Sequence, residues 1–352
     1  MDHRTDSSHG ARLGFLDELR GIAASVVVIA HIGPVVSDNI AWLYTNVVDL
    51  GQLGVVLFFL CSGFVIPASI DRERSLGAFW IKRFFRLYPL FWLSLVGALL
   101  LALAGIKENG DLTLRDWIAN VSMVPAALGA DLALPPYWTL GYEMAFYLLA
   151  TALVAMRINH MSVEAALLTG GAGIFLALLV PVPAGDQLNG GVFWVGTMLT
   201  GAVIYRWYVG EARTRSAVAC VVGTLLVGLA TAFTGLYGVP RDEDPYHSHF
   251  WPIVIAWGGA YALFLAFLTL RKRSVPWLIG LGTISYSMYL MHELVLAVIP
   301  EWGLPGLSIA VGFSLTVAVS AITYRWVEAP AIGLGKRYSD RYKSWRGGRV
   351  TV

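Results

Sequence analysis

The sequence predicts an all-α protein that crosses a membrane about ten times. Three observations lead there. Of its 352 residues, 57% are hydrophobic and only 14% are charged, whereas roughly a quarter of the residues in an ordinary soluble domain carry charge. Apolar windows of about 20 residues, the length needed to cross a hydrocarbon core, recur along nearly the whole chain. Lysine and arginine gather in every second connection between those windows, as the positive-inside rule requires. The net charge of +2 and the lack of a basic stripe interleaved with aromatics exclude a nucleic-acid binder.

Residues 1–14 are polar and form a cytoplasmic N-terminus in this reading. A membrane domain follows over 15–330, with spans near 15–34, 48–70, 84–105, 136–156, 163–181, 190–208, 216–236, 250–270, 277–299 and 305–327. A basic cytoplasmic tail, 331–352, closes the chain. The even connections hold Arg72, Arg74, Lys82, Arg83 and Arg86, then Arg157, then Arg206, Arg213 and Arg215, then Arg271, Lys272 and Arg273. The odd ones are acidic or mixed, so both termini are expected in the cytoplasm and the protein in the inner (plasma) membrane. A short amphipathic helix is expected from Leu114 to Leu128. Cys61 and Cys220 lie inside apolar runs and read as buried thiols rather than a disulfide. No metal-ligand spacing is read in the chain.

Several spans carry polar groups that a lipid-facing helix would avoid. The first, FLDELRGIAASVVVIAHIGP, contains Arg20 and His31 eleven residues apart. On an α-helix that spacing puts both on nearly one face, about 16.5 Å apart along the axis. Arginine inside a membrane costs at least about 2.5–3.5 kcal/mol unless it is paired or wetted, so a polar site is expected along that stripe. In the second span Ser62-Gly63 interrupts a bulky run, either for close helix packing or as a narrow polar gap for a ligand. Arg83 and Arg86 share a helix face at a span edge, as membrane anchors or as a clamp for phosphate, which guanidinium grips in a bidentate fork. Glu143 lies inside the fourth span at a depth like that of His31. It pairs with an arginine or with the histidine, or it orients His31 as the third member of a triad does. His292, with Tyr286 and Tyr289 on the preceding turns, reads as structural or substrate-binding. Arg325 and Glu328 are three apart and are expected to pair.

Six of these segments, in order, are similar to those of the membrane acyltransferase family 3, the O-acyltransferases of bacterial surface polysaccharides, Nod factors and macrolides. They are LDELRGIAASVVVIAH, FFLCSGFVI, the RFFR pair, YWTLGYEMAFYLL, ISYSMYLMH and WVEAP. The resemblance implies an acyl-CoA co-substrate, expected to be acetyl-CoA, with no permanently bound cofactor, and a hydroxyl acceptor on a glycan or glycosylated molecule. It also implies roles for Arg20, His31, Arg83 and Arg86. In the mechanism so expected, the donor's phosphates sit at Arg83, Arg86 and Arg20, its arm passes Ser62-Gly63, and His31 serves as general base oriented by Glu143. A covalent acyl-histidine is the alternative chemistry. The competing function is a proton-coupled secondary transporter relaying protons between His31 and Glu143, although neither inverted repeats nor paired broken helices are seen.

Overall fold

The computed structural model describes residues 14–106, 112–156, 188–237, 250–270, 274–299 and 304–347. Among these residues the structure is helical and no strand occurs. The helices are α1 (Gly14–Val36), α2 (Asp38–Asn46), α3 (Leu50–Glu73), α4 (Leu76–Leu103), α5 (Leu114–Asn120), α6 (Tyr137–Ala155) and α7 (Leu188–Tyr208). They continue with α8 (Thr214–Tyr237), α9 (Phe250–Leu270), α10 (Pro276–Thr283), α11 (Ser285–Leu296), α12 (Pro305–Thr323) and α13 (Ala329–Gly347). The expected amphipathic stretch forms α5 and a 3₁₀ turn, Pro125–Leu128. A capping box between Thr113 and Asp116 starts α5, and the Thr113 hydroxyl and backbone N–H, both donating to the Asp116 carboxyl, hold it below the usual aspartate range. Both cysteines are buried and free, as expected.

Six described helices are long and apolar enough to cross a membrane: α3, α4, α6, α8, α9 and the run from Pro305 to Arg346. The remaining four expected spans differ for separate reasons. Helix α1 carries Asp17, Glu18 and Arg20 in its first two turns. The stretch 163–181 lies outside the described residues. Helix α7 is diluted by glycine, threonine and Arg206. The stretch 277–299 breaks at Ile284 into α10 and α11, each too short to span alone.

Helices α1 and α3 form the centre. Helix α3 is lined with fully buried side chains, among them Val56, Leu57, Leu60, Cys61 and Phe64, because it packs on α1, α7 and α9 at once. Small residues set the two closest approaches. A Cβ at Gly63 would lie 2.1 Å from the Met198 carbonyl of α7, and one at Gly201 would lie 2.6 Å from that of Leu60. A Cβ at Gly282 of α10 would lie 1.7 Å from the Asp17 carbonyl, so α1 and α10 touch backbone to backbone. Glu18 clamps the same contact by accepting from the Val275 backbone N–H.

The sequence 331–352 was expected as a tail. Its described part is instead α13, which continues α12 through a π turn, Tyr324–Glu328, and docks on α4. There Phe85 and Tyr338 stack with ring centroids 5.4 Å apart. Glu73, at the end of α3, accepts from Lys82 and Lys343, each at 2.6 Å, and so ties α3, α4 and α13 into one corner.

Candidate active site

Three arginines from two helices meet at one cleft. Arg20 from α1 and Arg83 and Arg86 from α4 line a cavity of about 650 Å³, counting its mouth. Ser62, Glu143 and Tyr286, all singled out in the sequence, line it too. Arg83 donates to Ser69 Oγ at 2.9 Å and lies against the rings of Phe79 and Tyr147, 5.3 and 5.6 Å from their centroids. Arg86 faces Glu328 at 4.0 Å. Arg20 forms no hydrogen bond or ion pair among the described residues. The cavity thus holds three guanidinium groups against the one carboxylate in its lining, Glu143, with Glu328 behind Arg86, and one of the three guanidinium groups is uncommitted. A surplus of fixed cation in a low-dielectric cleft favours an anion.

Glu143 belongs to this cleft. Its Oε1 accepts from Ser62 Oγ at 3.1 Å and from the Tyr147 hydroxyl one turn along α6. The expectation that Glu143 orients His31 is therefore corrected: the carboxylate beside His31 is Glu293. The two sites were equated on depth alone, which does not fix the direction a side chain takes around its helix.

Ser62 and Gly63 also divide. Successive residues turn by about 100° on a helix, so Ser62 faces the cleft while Gly63 faces away, into the contact with α7. Gly63 therefore serves helix packing and does not line the cleft. Tyr286 lines it and donates to the Leu87 carbonyl at 2.9 Å. Glu328 does not pair with Arg325, which is exposed. The π turn shifts the phase of the helix and carries Glu328 inward, where it accepts from Ser287 at 2.7 Å and faces Arg86.

His31 stands at the other end of α1, with His292 of α11 beside it. Their ring centroids are 4.8 Å apart. His31 Nδ1 lies 2.8 Å from the Val27 carbonyl, and His292 Nδ1 lies 2.8 Å from that of Tyr289. A carbonyl only accepts, so Nδ1 carries the proton in both rings and, in the neutral imidazoles, Nε2 presents its lone pair. The His31 side chain is 37% exposed and its Nε2 is open to a reactant. Tyr289 joins the two regions. Its ring lines the arginine cleft, its hydroxyl donates to the Pro136 carbonyl at 3.0 Å, and its own carbonyl holds His292.

The sequence reading missed Tyr147, Glu293 and Thr139, which lines the cleft and shares a hydrogen bond of 2.7 Å with the Tyr289 hydroxyl. Tyr147 had a signal, since it lies four residues after Glu143 and such pairs share a helix face. Glu293 had a weaker one, a lone acid deep in the run ISYSMYLMHELV.

This geometry agrees with what the chain is related to. The profile of a family described as an acyltransferase domain, acyltransferase family 3, matches residues 13–325. The chain belongs to that family. It is 28% identical to the exopolysaccharide production protein ExoZ of Rhizobium meliloti, over 82% of this chain and 91% of that one. It is 25% identical to nodulation protein 10 of Rhizobium leguminosarum bv. viciae, over 95% and 97%. A shorter stretch, 39% of this chain and 38% of the other, is 30% identical to the acyltransferase MdmB of Streptomyces mycarofaciens. No solved structure matches. The protein is therefore a membrane O-acyltransferase, and the transporter reading loses its physical basis as well, since Glu143 and His31 are not in contact.

Proposed function

We propose that the protein moves an acyl group, acetyl in the first instance, from acyl-CoA to a hydroxyl of a glycan or glycosylated acceptor. The observation that carries this reading is the convergence of Arg20, Arg83 and Arg86 on one cleft, with the His31 imidazole at the far end of the helix that bears Arg20. Phosphates of the donor bind the guanidinium groups. The thioester arm, comparable in length to the Arg20–His31 separation, runs along α1 past Ser62. The acceptor hydroxyl gives its proton to His31 Nε2 as its oxygen bonds to the thioester carbonyl carbon. The carbon–sulfur bond breaks, and the CoA sulfur leaves as thiolate. Val27, not a carboxylate, sets the tautomer that makes Nε2 the base. The name of the Rhizobium meliloti relative supports a polysaccharide acceptor. The distribution of lysine and arginine supports cytoplasmic termini, donor entry at the arginine end and an inner-membrane location.

The test is mass spectrometry of surface glycans from a deletion strain complemented with wild type or with His31→Ala. Acyl esters should be present with wild type and absent with the variant at equal expression. Esters present in the deletion strain at the parental level would refute the reading.

A further inference from the structure

At the histidine end, three atoms that can only accept converge. Glu293 Oε1 lies 3.6 Å from His31 Nε2 and 3.8 Å from His292 Nε2, and one donor atom from each residue fits within 4.8 Å of the others. These separations exceed hydrogen-bond range, and with both Nδ1 protons committed to carbonyls neither neutral ring has a hydrogen to offer. His292 is fully buried, and its Nε2 has no hydrogen-bond partner. A buried polar atom in that state is costly, and here it points at two further lone pairs. Such a hole is satisfied by a cation.

We propose that His31, His292 and Glu293 form a binding site for one zinc-class divalent metal ion. Two imidazoles and a carboxylate are the donor set that suits zinc and its neighbours rather than calcium or magnesium. Each histidine donates its other N–H to a backbone carbonyl, the outer-shell arrangement that fixes a metal-binding ring. Ligand distances of about 2.0–2.1 Å require the three atoms to draw closer than they stand, and the exposed His31 ring has the freedom to swing inward. Its exposure also leaves an entry path and an open coordination position. The sequence hid this site because its ligands come from α1 and α11, more than 250 residues apart.

The ion would occupy the Nε2 lone pair of His31. Its consequence, inhibition of acyl transfer, rests on the proposed role of His31 as base; the binding itself does not. The test uses the full-length protein in detergent, stripped with chelator and titrated with cobalt(II). Wild type should develop the visible bands of four- or five-coordinate cobalt at one equivalent, without a thiolate charge-transfer band, and zinc should displace it. His292→Phe and Glu293→Gln should each weaken binding at least tenfold. Absence of the bands in wild type overturns the site without recourse to any variant, as does equal binding in a folded variant. In parallel, zinc should abolish acyl transfer and chelator restore it. Cobalt bound at this cluster with transfer unaffected would leave the site standing and remove His31 as the base. No binding, with His31→Ala inactive, would do the reverse.

Discussion

The two ends of α1 are deficient in opposite charges. At the Arg20 end, three guanidinium groups line a cleft with one carboxylate, Glu143, and Arg83 is fixed by Ser69 and two aromatic rings. At the His31 end, the Nε2 atoms of two imidazoles face one carboxylate oxygen of Glu293 at 3.6 and 3.8 Å. The first region is organised to hold an anion; the second is organised to take up a cation, of which the smallest is a proton. In the proposed function one helix carries the donor-binding end and the proton-accepting end, about 16.5 Å apart along its axis.

The largest expected effect is at the proton-accepting end. His31→Ala should lower acyl transfer by about 10²–10⁴-fold, the usual loss on removing a general base, as measured by radiolabel transfer from acetyl-CoA in membranes. Residual activity within a few-fold of wild type would dissolve the distinction between the ends. At the other end, replacing both Arg83 and Arg86 with Gln should weaken acyl-CoA binding. A hydrogen bond to a charged group contributes about 1.5–3 kcal/mol, which corresponds to roughly 10–150-fold for each arginine that touches phosphate. Unchanged affinity, read by calorimetry on the detergent-solubilised variant, would make the pair membrane anchors.

Glu143 sharpens the comparison because the sequence assigned it to one end and the structure puts it at the other. Glu143→Gln should change the KM for acyl-CoA by about tenfold or less and leave the pH dependence set by His31 in place. A shift of that profile, with donor KM unaltered, would return Glu143 to the histidine. The smallest effect separates Ser62 from Gly63. Ser62→Ala removes one hydrogen bond to Glu143 and should raise donor KM a few-fold with normal thermal unfolding. Gly63→Ala places a carbon against the Met198 backbone, so it should lower the unfolding temperature and leave donor KM in the surviving protein near wild type.

The residues that could be read from the sequence are those whose oddity is local. Arginine within an apolar span is costly wherever it points, so Arg20, Arg83, Arg86 and Glu143 announce a polar site before any fold is known, and helix periodicity aligns Arg20 with His31. What could not be read depends on neighbours brought by the fold. Glu293 and His292 reach His31 only because α11 packs on α1. Glu328 changes partner because a π turn, invisible in the residue pattern, alters the phase of its helix. Ser62 and Gly63 are adjacent in sequence, and their roles part only when α6 and α7 occupy different sides of α3. The number of spans was legible where a run is uniformly apolar and less so where charge enters α1 or a break divides 277–299.

The most direct test of the two-ended account is an acyl-CoA binding isotherm on the His31→Ala protein in detergent beside that of the Arg83→Gln/Arg86→Gln protein. The account predicts affinity within a few-fold of wild type for the first and a loss of tenfold or more for the second. Equal losses in both would contradict it, because donor binding and proton acceptance would then belong to a single site.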